Sequence, residues 1–257
     1  MIRGAVALAS LVLAMTVARA EPCPGNPGAL GTERLLEVEV RTTPRVGRKH
    51  FPATLSLGRK ELVLTIDDGP YPGTTPAILD ALKRECVRAT FFMLGQHAEQ
   101  QPQLARRVLA EGHTVAHHTY DHKILSRLPI DAAEAEINRG IEAVDYAIYG
   151  LRRSDPATPF FRFPGFASTP ALLDRLSRRG IVVFGADVWA SDWDRMSPEQ
   201  ELRLIVARIE VAGRGIVLFH DTKEQTATML PSFLKELKRR GFRVVHVVQA
   251  GGRGLLR

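Results

Sequence analysis

Leu62-Val63-Leu64-Thr65-Ile66-Asp67-Asp68-Gly69-Pro70 is an apolar run that stops on two adjacent carboxylates and a turn pair. Five β-prone residues followed by Gly-Pro read as a buried strand and its exit loop. Asp-Gly-Pro on its own is ordinary turn chemistry. Here, however, the apolar run leads straight into both acids, which puts them at the end of a core strand.

About fifty residues on, a second apolar run ends in His118-Thr119-Tyr120-Asp121-His122. Asp68, His118 and His122 offer one oxygen and two nitrogens, the mixed set that leaves a fourth position open on a catalytic metal. Two His four apart project from one face if the segment is helical, with Cβ atoms about 5–6 Å apart. Taken alone such a pair is commonly a surface feature, and the paired acids are what give it meaning. Asp67 is then the free carboxylate, placed to take a proton from water that the metal has acidified.

The same pattern continues along the chain. Strand-like runs fall at 62–66, 89–94, 114–117, 159–162, 181–186, 215–219 and 242–247. Helix-like stretches lie between them, near 75–86, 101–111, 131–148, 170–179, 198–212 and 227–240. Gly112, Gly180 and Gly241 close helices, and Pro170 and Pro198 open them. Seven strands alternating with six helices predict a parallel α/β sheet, open or closed into a barrel; periodicity does not choose between the two. The polar residues of interest all follow strand ends, the rim on which barrel loops build active sites.

Arg162, inside Phe160-Phe161-Arg162-Phe163-Pro164-Gly165, is a cation in an aromatic run, and burying it demands an anionic partner. Asp67 is the expected partner, with a structural ion pair elsewhere as the competing reading. His220 ends Gly215-Ile216-Val217-Leu218-Phe219-His220-Asp221 and is placed to protonate a leaving amine. Asp192 or Asp187 would hold its ring. Leu218 and Phe219 are candidates to shape an apolar pocket, and Trp193 to carry a sugar ring, although such residues are more often plain core.

Composition sets the frame. The chain has 257 residues, 45% apolar and 25% charged, enough for one large domain with an ample core. Arg3, an apolar stretch from Ala5 to Val17 and Ala18-Arg19-Ala20 read as a secretory signal with cleavage after Ala20, an uncleaved anchor being the rival reading. The stretch is shorter than the ~20 residues that span a bilayer, so no membrane anchor is expected after cleavage. Removing residues 1–20, with Arg3, Arg19 and no acid, takes the net charge from +7 to +5. The basic residues are scattered and accompany no nucleic-acid motif, so no nucleic-acid partner is expected. Residues 21–60 are rich in Pro and Gly, with a candidate edge strand at Leu35–Val40, and read as an N-terminal extension of the main domain, 61–250. Export would let Cys23 and Cys86 pair in an oxidising compartment; the alternative is two free thiols.

Five runs in order, Thr65-Ile66-Asp67-Asp68-Gly69, His118-Thr119-Tyr120-Asp121-His122, Arg162-Phe163-Pro164-Gly165, Ser191-Asp192-Trp193 and Leu218-Phe219-His220-Asp221, resemble the motifs of the polysaccharide deacetylase family. This group shares the NodB homology domain and is also called carbohydrate esterase family 4. The resemblance covers about Glu61 to Val248. It implies a distorted (β/α)7 barrel, here with a short irregular N-terminal extension. It also implies a divalent metal (zinc first, with cobalt, nickel or manganese as alternatives) and hydrolysis of acetyl groups on glycans.

Carried over, Asp67 resembles the base and Asp68, His118 and His122 the ligands. Arg162 resembles the residue that steers the base, His220 the acid and Asp192 its partner. Trp193, Leu218, Phe219, Gly165 and Tyr120 fall at substrate-binding positions. Gly165 stands where Tyr is common, which removes a groove wall and leaves a backbone N–H for an oxyanion. The expectation is an exported, periplasmic or extracellular, metal-dependent N-deacetylase of a chitooligosaccharide or peptidoglycan-type glycan. The rival readings are O-acetyl esters or other amides at the same site, and an inactive glycan-binding module.

Overall fold

The computed structural model describes residues 23–152 and 155–251; the expected leader, residues 1–20, lies outside them. The first strands are β1 (Thr32–Val38) and β2 (Arg45–Val46), followed by β3 (Glu61–Asp67), α1 (Thr75–Arg84) and β4 (Thr90–Met93). Then come α2 (Gly95–Gln100), α3 (Pro102–Ala110), β5 (Thr114–His117), α4 (Ile130–Tyr149), β6 (Phe160–Phe161) and α5 (Pro170–Arg178). The chain ends with β7 (Val182–Phe184), β8 (Val188–Trp189), α6 (Pro198–Ala212), β9 (Gly215–His220), α7 (Glu224–Arg239) and β10 (Arg243–Gln249).

All the ladders are parallel. β3 pairs with β4 and with β9, the ladder continues through β5, β6 and β7, and β8 joins β9. The strands from β3 to β9 therefore form a (β/α)7 barrel. It is distorted because β7 pairs with β2 rather than with β8. The run expected as the last barrel strand, β10, lies instead along β1 and meets β3 only at Glu61 and Leu62. Its place in the barrel is taken by β8, two residues long and too short for alternation to reveal.

Strand alternation sorts the side chains into two layers. Leu62, Leu64 and Ile66 of β3 pack among the helices with Ile78, Phe233 and Leu237, while Val63 faces Phe92, Phe160, Phe184 and Ile216 inside the barrel. Thr65 and Asp67 share the face of Val63. By the same parity Ala116 leads to His118, Phe160 to Arg162, and Ile216 to His220. The interior apolar row of each of these four strands ends at the rim in a polar residue.

The N-terminal segment is less irregular than expected. β1 pairs with β10 from Thr32 to Val38, three residues upstream of the expected start at Leu35. The Arg34 Nε and Nη2 groups donate to the buried Glu61 carboxylate at 3.1 and 2.7 Å, tying β1 to β3. Asp187 accepts from Arg48 N (2.7 Å), Thr54 Oγ1 (2.6 Å) and Ile216 N (2.8 Å), so this candidate partner for His220 anchors the extension instead. A loop segment carries backbone donors that need acceptors, and here the barrel supplies them.

Cys23 and Cys86 are joined, with Cα atoms 5.6 Å apart, across a sequence separation of 63. A loop of that length restrains the unfolded chain by about 4 kcal/mol in the entropic model. Replacing both cysteines by serine is expected to lower unfolding stability by roughly 2–4 kcal/mol in denaturant titration. Unchanged stability would show that the link contributes nothing.

Candidate active site and metal centre

Asp68, His118 and His122 come together at the rim. His118 Nε2 and His122 Nε2 each lie 3.5 Å from Asp68 Oδ1. That is close to the edge of a tetrahedron with metal–ligand bonds of 2.0–2.2 Å, about 3.4 Å. Asp68 Oδ1 is buried with no hydrogen-bond partner, an acceptor aimed at nothing but the two imidazoles. His118 Nδ1 lies 2.7 Å from the Arg162 carbonyl and donates to it, so Nε2 keeps its lone pair for the shared point. Burial pushes the His118 imidazole down to about 3, against the pull of Asp68, and holds it neutral. The donor set fits a divalent metal of the zinc class.

The two imidazoles do not sit one helical turn apart. Thr119 and His122 are left-handed, at φ 69° and 66°, in an irregular loop, and the rings meet edge to face at 5.1 Å. Asp68 (φ 80°), Phe166 (φ 57°) and Ser191 (φ 60°) also adopt this costly region. Five such residues on the loops after β3, β5, β6 and β8 mark a site whose surroundings hold it against backbone preference.

α4 holds the histidine loop. Glu136 accepts from Tyr120 N and Asp121 N, both at 2.9 Å. One turn later Gly140 lets Thr119 approach so closely that a Cβ there would stand 2.3 Å from the Thr119 carbonyl carbon. Neither residue was singled out in the sequence. Their signal, a buried acid and a glycine four apart within a helix, has no meaning until the loop is in place.

Asp67, 2% exposed, is held apart from the metal group by Arg162, which is wholly buried. Arg162 Nη1 donates to Asp67 Oδ1 at 2.6 Å and to Thr65 Oγ1 at 2.9 Å. Nη2 and Nε donate to the Gly185 and Phe184 carbonyls at 2.9 and 3.3 Å, and the guanidinium lies 4.2 Å from the Phe92 ring centroid. Burial raises the Asp67 carboxyl above its usual range, opposed by the charges of Arg162 and His220. Its Oδ2 lies 3.8 Å from His118 Nε2, beside the metal group without joining it.

On the neighbouring strand β9, where His220 pairs in register with Asp67, His220 Nδ1 lies 2.8 Å from Asp192 Oδ1, and His220 N donates to Asp192 Oδ2 at 2.6 Å. Burial alone would lower the imidazole. The Asp192 hydrogen bond and charge, with Asp67 and Asp68 behind them, raise it to about 9. Behind Asp192, the Thr226 hydroxyl lies 2.9 Å from both Asp192 Oδ2 and Glu201 Oε1. One hydroxyl proton serves only one of two carboxylates. Burial and the Asp192 charge push Glu201 up to about 7, so below that value it carries the proton that bridges it to the hydroxyl.

The expected pocket residues separate. Trp193 is 47% exposed and meets His220 edge to face at 5.8 Å. Leu218 shares the interior face of β9 with His220 and is buried. Phe219 points the other way, packing on Phe233 of α7 at 5.2 Å, because it is one residue out of phase with His220. Tyr120 also turns from the site: its hydroxyl donates to Glu99 at 2.9 Å and Arg139 lies 3.4 Å over its ring. Gly165, at φ 56°, is exposed in the turn after β6.

Gly140→Ala is expected to displace the Thr119–His122 loop and weaken metal binding at least about tenfold, measured by metal titration, the scale of losing a supporting contact. Wild-type affinity in this variant would remove α4 from the site's support.

The chain is similar to known proteins. The polysaccharide deacetylase family model matches residues 55–184. A chitooligosaccharide deacetylase of Bradyrhizobium sp. is 34% identical over 203 residues, covering 73% of this chain and 89% of its own length. Peptidoglycan-N-acetylglucosamine deacetylase PgdA of Listeria monocytogenes is 29% identical over 239 residues, 89% of this chain but only 48% of PgdA. Among solved structures, a peptidoglycan deacetylase of Bdellovibrio bacteriovorus superposes with a TM-score of 0.74 at 33% identity, covering 87% of this chain and 62% of that one. The chain thus spans about half of one such relative and most of another. On the family match, these likenesses and the shared fold, this chain belongs to the polysaccharide deacetylase family.

Proposed function

We propose that this chain is an exported, metal-dependent hydrolase that removes N-acetyl groups from an N-acetylglucosamine-containing glycan of chitooligosaccharide or peptidoglycan type. One observation carries the reading. A three-ligand group, a separate carboxylate gripped by a buried arginine, and an imidazole raised by its own carboxylate face one another on a single rim. The relatives named as chitooligosaccharide and peptidoglycan deacetylases support the substrate class.

A divalent ion on Asp68, His118 and His122 would supply Lewis-acid polarisation of the acetamide carbonyl and acidify the attacking water. Asp67 takes the proton from that water; Arg162 turns its carboxylate and leaves Oδ2 free for the task. A backbone N–H near Gly165 donates to the oxyanion. His220, cationic and oriented by Asp192, gives its proton to the departing amine, so acetate and a free amino sugar leave. Trp193, at the mouth, gives the sugar a flat face. Export rests on the leader-like residues 1–20 and on the Cys23–Cys86 link, which suits an oxidising compartment. No helix among the described residues is long and apolar enough to cross a membrane.

Purified protein is expected to release acetate from N-acetylchitooligosaccharides or peptidoglycan, to stop on chelation and to recover with zinc. Release only from O-acetylated xylan would move the reading to esters, and none from any glycan would reject it. Asp67→Asn should keep metal content while lowering kcat by about a thousandfold.

The pH dependence follows from His220. Below about 9 it holds the proton it must donate, and above that value activity falls. Asp192→Asn removes the anion that raises it, so the alkaline limb of kcat should move down toward 6.5. An unmoved limb would mean that another group sets it.

A further inference from the structure

The turn at residues 47–51 lies outside the segment that the family model matches. It is pinned firmly to the barrel. Lys49 N donates to the Ala186 carbonyl at 3.0 Å, and Arg48 N to Asp187 at 2.7 Å. Gly47, at φ 108°, packs where a Cβ would stand 2.5 Å from the Ala186 nitrogen, so only glycine permits the approach.

What the pinning presents is an aromatic path. His50 stacks on Phe166 with ring centroids 3.8 Å apart and planes 20° from parallel. Phe166 lies 6.4 Å from Trp189, Trp189 meets Trp193 at 5.8 Å, and Trp193 meets His220 at 5.8 Å. On its other side Phe166 lies 5.8 Å from the Arg162 guanidinium. The path therefore runs from the group that orients the base to the acid. Lys49 Nζ lies 4.3 Å over Trp189. A ring face that attracts a cation also attracts the weakly positive C–H face of a pyranose. Lys49 is exposed and free to yield its place. Gly165, next to Phe166, adds no side chain to this wall, and a Cβ there would meet only Ile124, at 3.3 Å.

We propose that the N-terminal extension, through His50, completes a ledge with Phe166, Trp189 and Trp193 that binds the sugar ring next to the one being deacetylated. The ledge makes the chain a selector of oligomeric glycan over single sugars. It rests on the deacetylase reading for its substrate class.

The chain's two tryptophans, Trp189 and Trp193, both lie in the ledge, so intrinsic fluorescence reports its occupancy directly. The full protein is titrated with N-acetylchitopentaose and with N-acetylglucosamine, and acetate release is followed on N-acetylchitopentaose and N-acetylchitobiose. His50→Ala is expected to weaken pentaose binding about tenfold, the scale of one lost ring contact, and to lower the pentaose-over-biose preference through KM rather than kcat. His50→Phe restores both, which a merely structural role for His50 would not. Acetate release with unchanged pentaose binding and chain-length preference in His50→Ala overturns the ledge while leaving the activity intact. Tight, His50-dependent pentaose binding without acetate release supports the ledge and removes the activity instead.

Discussion

The fully buried Arg162 guanidinium is the joint on which the site turns. It donates to Asp67 and Thr65 of β3 and to the carbonyls of Phe184 and Gly185, while its own carbonyl accepts from His118 and its N–H donates to His117 O. One residue therefore orients the free carboxylate and fixes the tautomer of an imidazole in the candidate metal group. A cation so deep in the barrel is tolerated only because an anion and several carbonyls meet it. Removing one partner of such a pair costs about 3–5 kcal/mol, so the machinery of the site and the stability of the barrel share the same contact.

Around that joint the groups divide by environment. Asp67 and Asp68 are neighbours in sequence, yet alternation sends Asp67 into the barrel and the left-handed backbone at Asp68 swings its carboxylate toward the two imidazoles. His118 and His220 are both buried imidazoles with opposite fates. Burial dominates at His118 and keeps it neutral, while the Asp192 carboxylate prevails over burial at His220 and keeps it charged. Two acids and two imidazoles thus meet four environments.

Most of the barrel was legible because its strands are long enough to alternate and its helices carry proline and glycine punctuation. β8 and α2 were not: two residues and six residues fall below what periodicity can register. β10 reads as an apolar run like those of the barrel strands, and only tertiary pairing with β1 shows where it belongs. The rim residues were readable since each ends an apolar run. What supports them was not, because Glu136, Gly140, Thr226 and Glu201 act across distances of 15 residues or more that no local pattern encodes. Phe219 illustrates the opposite error, since adjacency to a functional residue in sequence places a strand neighbour on the other face, while Tyr120, in the loop after β5, turns away to Glu99 and Arg139.

The most direct measurement is anomalous diffraction at the zinc edge from crystals of the zinc-loaded protein. The account predicts a single peak about 2.0–2.2 Å from an Asp68 oxygen, His118 Nε2 and His122 Nε2, with Asp67 still on Arg162 and outside bonding distance. A peak bonded to Asp67, or none within reach of the two imidazoles, would contradict it.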